Sequence, residues 1–382
     1  MVARRENHMA KQRLENIGVI AKIQICGGEF RMGKMFEPIK VGSKIVKNRI
    51  AVPPLVVFGL SGDDGVQEAH LKHYKRMAKG GAGLLIVESV TTWPEHEKRV
   101  MIAAYEDKYL DGLKKLAEAC KENGTTALAQ ITNTGLEVMP YMSLAEMPAE
   151  ALKKTLDNFV ISAINCKKAG FDGIELHGAH GFYLNQILEV NNREDEYGDG
   201  NKVLSDLIKR IRSECGNDFI IDVRMGNHDM DALIESAKAA EAAGADMLHI
   251  SRGAWSDGEE SLSKHEDKVE LLRSPAPTTP LPDGFKYCYT VFMASCVKPH
   301  VNIPVICVGD LRKPAEVEDV LEKGYADIAA LGREHLADPE WSNKVKAGDE
   351  PVYCINCKAC KWMQDGTGKS CAARIIAERN KK

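Results

Sequence analysis

The chain has 382 residues, 44% hydrophobic and 28% charged, with a formal net charge of −4. That is enough to bury one large α/β core, and it leaves no basic footprint for nucleic acid or an anionic membrane, so a small-molecule substrate is expected. No apolar run approaches the ~20 residues that cross a bilayer, and the basic residues 1–13 lead only into a short apolar stretch without a cleavage site, which points to the cytoplasm.

Residues 1–34 show no period and read as an extension of unknown role, with order expected from Met35. Residues 36–48 read as a hairpin turning at Gly42-Ser43. Apolar and amphipathic stretches then alternate. The strand-like runs are 50–55, 83–90, 127–132, 173–178, 219–225, 247–251, 304–309 and 328–332. The helical stretches are 70–79, 110–123, 149–168, 201–215, 230–243, 285–297, 314–323 and 339–347. Gly80, Gly124, Gly170, Gly216, Gly244 and Gly324 each stand where a helix takes a left-handed C-cap. Apolar strands covered by helices imply a parallel sheet buried on both faces, and eight such units imply closure. The expected class is α/β, a TIM (β/α)8 barrel over residues 35–348, with an N-terminal hairpin and a cysteine-rich segment at 349–382. A doubly wound open sheet would call for an early GxGxxG turn, which the sequence lacks. Long connections at 56–69, 133–148 and 252–284 place pocket walls at the strand C-termini, and the last is a candidate lid. Helix faces leave homo-oligomerisation open.

The fourth run ends in His177-Gly178-Ala179-His180-Gly181. Two imidazoles three apart at a strand end can face one pocket, where they donate to an oxygen or bind a metal. The last two runs end in Val308-Gly309-Asp310-Leu311 and Ala330-Leu331-Gly332-Arg333. Backbone N–H groups after strands seven and eight, beside an arginine, make a barrel phosphate site, so the cofactor is expected to carry a phosphate. Four of the eleven cysteines, Cys354, Cys357, Cys360 and Cys371, form C-x2-C-x2-C-x10-C. Four thiolates so spaced call for a [4Fe–4S] cluster first and zinc second. The other seven, scattered, suit a reducing interior.

In order, MFEPIKVGSKIVKNRIAVPPL, GGAGLLIVESV, ALAQITNTG, GIELHGAHGFYLNQIL with RxDEYG, IIDVRMG and IPVICVGDLRKPAEVEDVLEKGYADIAALGREHLADPE resemble successive blocks of the Old Yellow Enzyme family of FMN barrels. The resemblance implies that Pro53, Pro54, Leu55 and Ser89 line the flavin, that Gln130 pairs with its pyrimidine edge, and that Arg224 lies against its N1/C2 side. Gly309, Asp310, Leu311, Gly332 and Arg333 would hold the phosphate. His177 and His180 would bind the carbonyl or nitro oxygen of a ligand over the flavin. Where the family usually has a protonating tyrosine this chain has Phe182; Tyr183 is the candidate substitute, with water or Tyr141 as other sources. Val56 stands where relatives often carry a donor near the flavin O4. The cysteine loop is similar to that of the iron–sulfur branch, which includes 2,4-dienoyl-CoA reductase, 2-enoate reductase and trimethylamine dehydrogenase. With about ten residues after Cys371, electrons are expected from a separate flavoprotein subunit or ferredoxin. The implied activity is an FMN- and iron–sulfur-dependent ene-reductase. An amine demethylase or dehydrogenase, and an electron-transfer subunit of a larger flavoprotein complex, are the alternatives.

Overall fold

The computed structural model describes residues 22–25, 28–31, 33–56, 65–93, 102–133, 144, 147–189, 191–253, 277–357 and 371–380. Tyr141, Cys360 and most of the three long connections lie outside them. Within the segment expected to lack regular structure, β1 (Lys22–Ile25) and β2 (Gly28–Arg31) pair antiparallel, Lys22 opposite Arg31. Four-residue strands are too short to show a sequence period. The expected hairpin follows as β3 (Ile39–Val41) and β4 (Lys44–Val46).

Eight parallel strands then close a barrel: β5 (Ile50–Val52), β6 (Leu84–Thr91), β8 (Thr126–Thr132), β9 (Gly173–Gly178), β10 (Ile220–Met225), β11 (Met247–Ile250), β12 (Val305–Val308) and β13 (Ile328–Ala330). Closure is the β13–β5–β6 pairing, Ala330 opposite Ala51 and Ala51 opposite Leu84. Each strand falls on an apolar run, with β5 ending three residues and β13 two residues short of the expected run, because a strand buried on both faces carries little polar interruption. The two-residue β7 (Ile102–Ala103), with no counterpart in the apolar pattern, extends the sheet beside the end of β6. Helices cover the outside, and no helix among the described residues is long and apolar enough to cross a membrane.

Side-chain alternation sorts each strand into two faces. The outward face packs Leu85, Val87, Ile131, Ile174, Leu176, Ile221 and Val223 with the helices. The inward face begins apolar, with Ala51, Leu84, Ile86, Leu128, Ile220, Met247, Ile306 and Ile328 packed on Val41 and Val46 of the β3–β4 hairpin. That hairpin plugs the N-terminal end. Two residues further along, the same face turns polar, so water-seeking side chains collect toward the C-terminal mouth.

A break in the β6–β8 register between Val87 and Val90 inserts an extra residue. Glu88 therefore meets Tyr74 Oη of the covering helix Glu68–Lys79 at 3.0 Å, and Ser89 meets Gln130 at 3.2 Å. Of the expected glycine caps, Gly124, Gly170, Gly216, Gly244 and Gly324 have positive φ, whereas Gly80 is right-handed at φ −69°. Its requirement is space, since a Cβ there would lie 1.7 Å from Pro339 O; the positive φ falls on Gly81 instead.

Candidate active site

Two polar tiers of inward side chains build the site. Below the mouth, Gln130 of β8, Glu175 of β9, Asp222 of β10 and His249 of β11 are all fully or nearly fully buried. Gln130 Nε2 donates to Glu175 Oε1 at 2.6 Å, and His249 Nδ1 meets Glu175 Oε2 at 2.6 Å. Ser89 Oγ donates to Gln130 Oε1. The amide expected to read the pyrimidine edge thus commits its oxygen and one N–H to the interior, and keeps a second N–H.

One step up the same strands stand Thr132, His177, Arg224 and Ser251. The register sets His177 opposite Arg224, and Arg224 opposite His249. His177 Nε2 meets His180 Nδ1 at 3.1 Å, and His180 Nε2 meets Ser251 Oγ at 2.8 Å. Thr132 Oγ1 lies 3.3 Å from His177 Nδ1. His180 has φ +63°, a left-handed conformation held by its N–H donating to Arg252 O, which turns its ring onto His177. Burial, then the positive charge of Arg224, lowers His177 to about 3 and takes His180 well below its usual value. Both imidazoles are neutral at physiological pH, each with one N–H to donate.

Arg224 is 7% exposed, donates from Nη2 to Ser251 Oγ at 3.3 Å, and leaves Nε without a partner. Among the described residues no carboxylate pairs with it. Its only nearby negative charge among them is that of Glu175 in the layer below, so the face of the guanidinium toward the mouth is left for a ligand to meet.

Arg224 also lines a cavity with Pro53, Pro54, Leu55, Gly309, Asp310, Leu311, Gly332 and Arg333, so nine of the eleven expected cofactor residues converge. Ser89 and Gln130 lie in the interior below. Gly309 at φ +132° and Asp310 at φ +45° turn successive backbone N–H groups into a concave nest suited to an anion. The Asp310 carboxylate is tied to Arg312 and Arg333. Neither imidazole lines this cavity; Ser251 and Arg224 connect them to it.

Phe182 packs its ring edge-on to His177, centroids 4.5 Å apart. Tyr183 is not brought to the imidazoles. Its Oη donates to Met147 Sδ at 3.4 Å and its ring is buried among the helices, burial raising the phenol far above its ordinary value. Adjacent residues at the start of helix Tyr183–Glu189 point about 100° apart, so one ring faces the pocket and the next the core.

Cys354, Cys357 and Cys371 are free thiols, none fully buried. Their loop is fastened to the phosphate-like pocket: Cys354 N donates to Glu334 Oε2 at 2.9 Å, Arg312 Nη1 to Cys354 O at 3.3 Å and Arg333 Nη1 to Asn356 Oδ1 at 2.8 Å. Sequence reasoning missed Arg312, Ser251, Glu334, Glu175, Asp222 and His249. The last three carried a signal, as ionisable residues inside the apolar runs GIELHG, IIDVRM and MLHI.

A family model described as NADH:flavin oxidoreductase / NADH oxidase matches residues 34–145 and 139–351. A NADH oxidase of Thermoanaerobacter brockii is 32% identical over 359 residues, 85% of this chain and 52% of that protein. Among solved structures, a 2-naphthoyl-CoA reductase in complex with 2-naphthoyl-CoA superposes with a TM-score of 0.73 at 22% identity, covering 88% of this chain and 56% of that one. A histamine dehydrogenase from Rhizobium sp. 4-9 gives 0.71 at 22% identity, covering 88% and 51%. The chain thus spans about half the length of each.

Proposed function

The chain belongs to the NADH:flavin oxidoreductase / NADH oxidase family of Old Yellow Enzyme-like barrels, and from that premise we propose that it is an FMN-dependent oxidoreductase reducing an activated C=C bond of an α,β-unsaturated carbonyl or acyl compound. The observation that carries the reading is Arg224, a buried cation with no ion pair, standing between the imidazole pair and the Gly309–Asp310 nest. An isoalloxazine that becomes anionic on reduction, tethered by a phosphate, answers both features.

FMN would be held by Pro53, Pro54, Leu55 and Arg224 along its ring and by Gly309, Asp310, Leu311, Gly332 and Arg333 at its phosphate, with Gln130 offering its remaining N–H. Once bound, FMN supplies hydride chemistry at the mouth. His177 and His180 then act on the substrate oxygen. Their mutual 3.1 Å contact is replaced by a carbonyl oxygen accepting from both rings, which draws electron density from the β-carbon. Thr132 and Ser251 hold the two rings in register from either side. Phe182 excludes water next to His177 and brings no proton, so the α-carbon proton comes from solvent or from the loop that holds Tyr141.

Cys354, Cys357, Cys360 and Cys371 supply four thiolates, a donor set that fits a [4Fe–4S] cluster better than any oxygen-rich site could. A cluster beside a flavin carries single electrons, and its loop is fastened to the phosphate pocket through Arg312, Arg333 and Glu334. The partner is an electron-donor protein docking at this loop, a flavoprotein or ferredoxin.

A second reading, oxidation of an amine with electrons leaving through the cluster, is favoured by one observation: neither Phe182 nor Tyr183 places a phenol in the pocket. The two directions separate in one anaerobic experiment. Dithionite-reduced, FMN-loaded protein mixed with an enone or enoyl thioester is reoxidised under the first reading. Bleaching of the oxidised protein by an amine, with no reoxidation by the enone, overturns it.

A further inference from the structure

We infer that Asp222 is a neutral carboxylic acid in the folded protein, holding the one proton its carboxyl shares with Glu175 in a buried Glu175–Asp222–His249 triad, and that it acts as a positioning residue keeping the charge of Arg224 available at the barrel mouth. One polar atom from each of the three side chains lies within 4.8 Å of the other two, with no exposure to solvent. Glu175 has both oxygens engaged by donors, Gln130 Nε2 on one and His249 Nδ1 on the other, which fixes it as the carboxylate. Asp222 is its neighbour across the β9–β10 ladder, and no side-chain donor reaches either Asp222 oxygen; the nearest N–H is the backbone of Val223, too poorly aimed for a full hydrogen bond.

An ionised carboxylate can only accept, so an ionised Asp222 would be an acceptor with no side-chain donor, beside a second negative charge, away from water. Protonated, it becomes a donor with the carboxylate of Glu175 as its acceptor. His249 Nδ1 carries the ring proton toward Glu175, which leaves His249 neutral with Nε2 as a bare acceptor. Burial and the charge of Glu175 push Asp222 well above the carboxylate range, and burial lowers His249, which places the proton on the acid and not on the ring.

The charged groups facing Asp222 are Glu175 from β9, the titratable His249 from β11 and Arg224 from its own strand. β6 and β8 contribute only the neutral Ser89 and Gln130, and β5, β12 and β13 only apolar residues such as Ala51, Ile306 and Ile328. With the proton in place, the interior charge below Arg224 is one unit negative. Without it the charge is two, the group of Arg224, Glu175 and Asp222 turns from neutral to net negative, and an anion above Arg224 is repelled. The protonation claim does not depend on a flavin; the consequence for Arg224 rests on the function proposed above.

The test uses the apoprotein. At neutral pH its infrared spectrum is expected to show the carbonyl stretch of a neutral carboxylic acid, absent in Asp222→Asn. Unfolded aspartate loses its proton near pH 3.9 whereas folded Asp222 keeps it, so wild type loses stability as pH rises above that value. The neutral D222N does not. The folded-to-unfolded ratio of D222N relative to wild type should therefore climb by about tenfold per pH unit. If D222N fails to fold, wild type labelled with 13C at aspartate carboxyls is expected to show one resonance that stays protonated at pH 7. A pH-independent difference between the two proteins, or aspartate resonances that all titrate in the ordinary range, overturns the inference. So does zinc bound by wild type, beyond what D222N retains, which would make the triad a metal site.

Discussion

Replacing Arg224 by methionine separates a structural guanidinium from one kept for a ligand. The side chain is 7% exposed, its single protein hydrogen bond is the 3.3 Å contact to Ser251, and its Nε has no partner. Methionine keeps most of the bulk and removes the charge. Losing that hydrogen bond should cost about 1 kcal/mol, and the lost attraction to Glu175 below is offset by no longer burying a guanidinium that makes no salt bridge. The urea unfolding free energy of apo Arg224→Met is therefore expected to stay within about 1 kcal/mol of wild type, or to rise. Flavin affinity moves the other way. A charge-assisted hydrogen bond to the ring contributes about 1.5–3 kcal/mol, so the FMN dissociation constant should rise roughly 10- to 150-fold. Quenching of FMN fluorescence by apoprotein reads the affinity, and a urea melt on the same preparation reads the stability. An apoprotein weakened by more than about 3 kcal/mol with unchanged FMN affinity would show that Arg224 belongs to the barrel and not to a ligand.

Gly309→Ala puts a Cβ 2.4 Å from Cys288 Sγ and 2.5 Å from Thr290 Oγ1 at φ +132°, and a cost of about 1–3 kcal/mol with weakened FMN binding is expected in titration and melting; unchanged FMN affinity would remove the nest from the phosphate site. Tyr183→Phe loses hydrogen bonds to Met147 and Thr155 alone, both away from the imidazoles, and should leave turnover intact, whereas Phe182→Tyr, beside His177, should raise enone turnover if protonation limits it. A fall in turnover with Tyr183→Phe would restore that phenol as the donor. In the unfolded chain an imidazole protonates near 6.5, while His177 resists to about 3 and His180 also sits low. The unfolded state therefore binds more protons below pH 6.5, stability falls as pH drops through that window, and His177→Asn should flatten the fall seen in melting curves. Cys357→Ala should abolish iron and sulfide in anaerobically prepared protein while FMN remains; full iron content would move the cluster elsewhere.

Eight strands were legible because each is a mostly apolar run of ordinary strand length followed by an amphipathic helical stretch. The mouth was legible for a related reason: His177, Arg224 and Gly309 stand where those runs stop. What escaped detection depends on phase. Ser89 reaches Gln130 only because a bulge after Val87 resets the alternation, and nothing in LLIVESVT announces an extra residue. Phe182 and Tyr183 are chemically similar neighbours, and only helix geometry decides which meets the histidines. The Glu175–Asp222–His249 tier required three strands in register, since each residue alone reads as an isolated charge in an apolar run. Gly80 looked like a cap because it ends a helix, but its reason is the passing backbone of Pro339.

Titrating FMN-loaded, anaerobically prepared protein with a phenol, while recording its visible spectrum, tests most directly whether the two neutral imidazoles hold an oxygen above a flavin at this mouth. A long-wavelength charge-transfer band that saturates in wild type and is lost in both His177→Ala and His180→Ala is the expected result. Protein that takes up no FMN, or that binds it and gives no such band with a phenol, would contradict it.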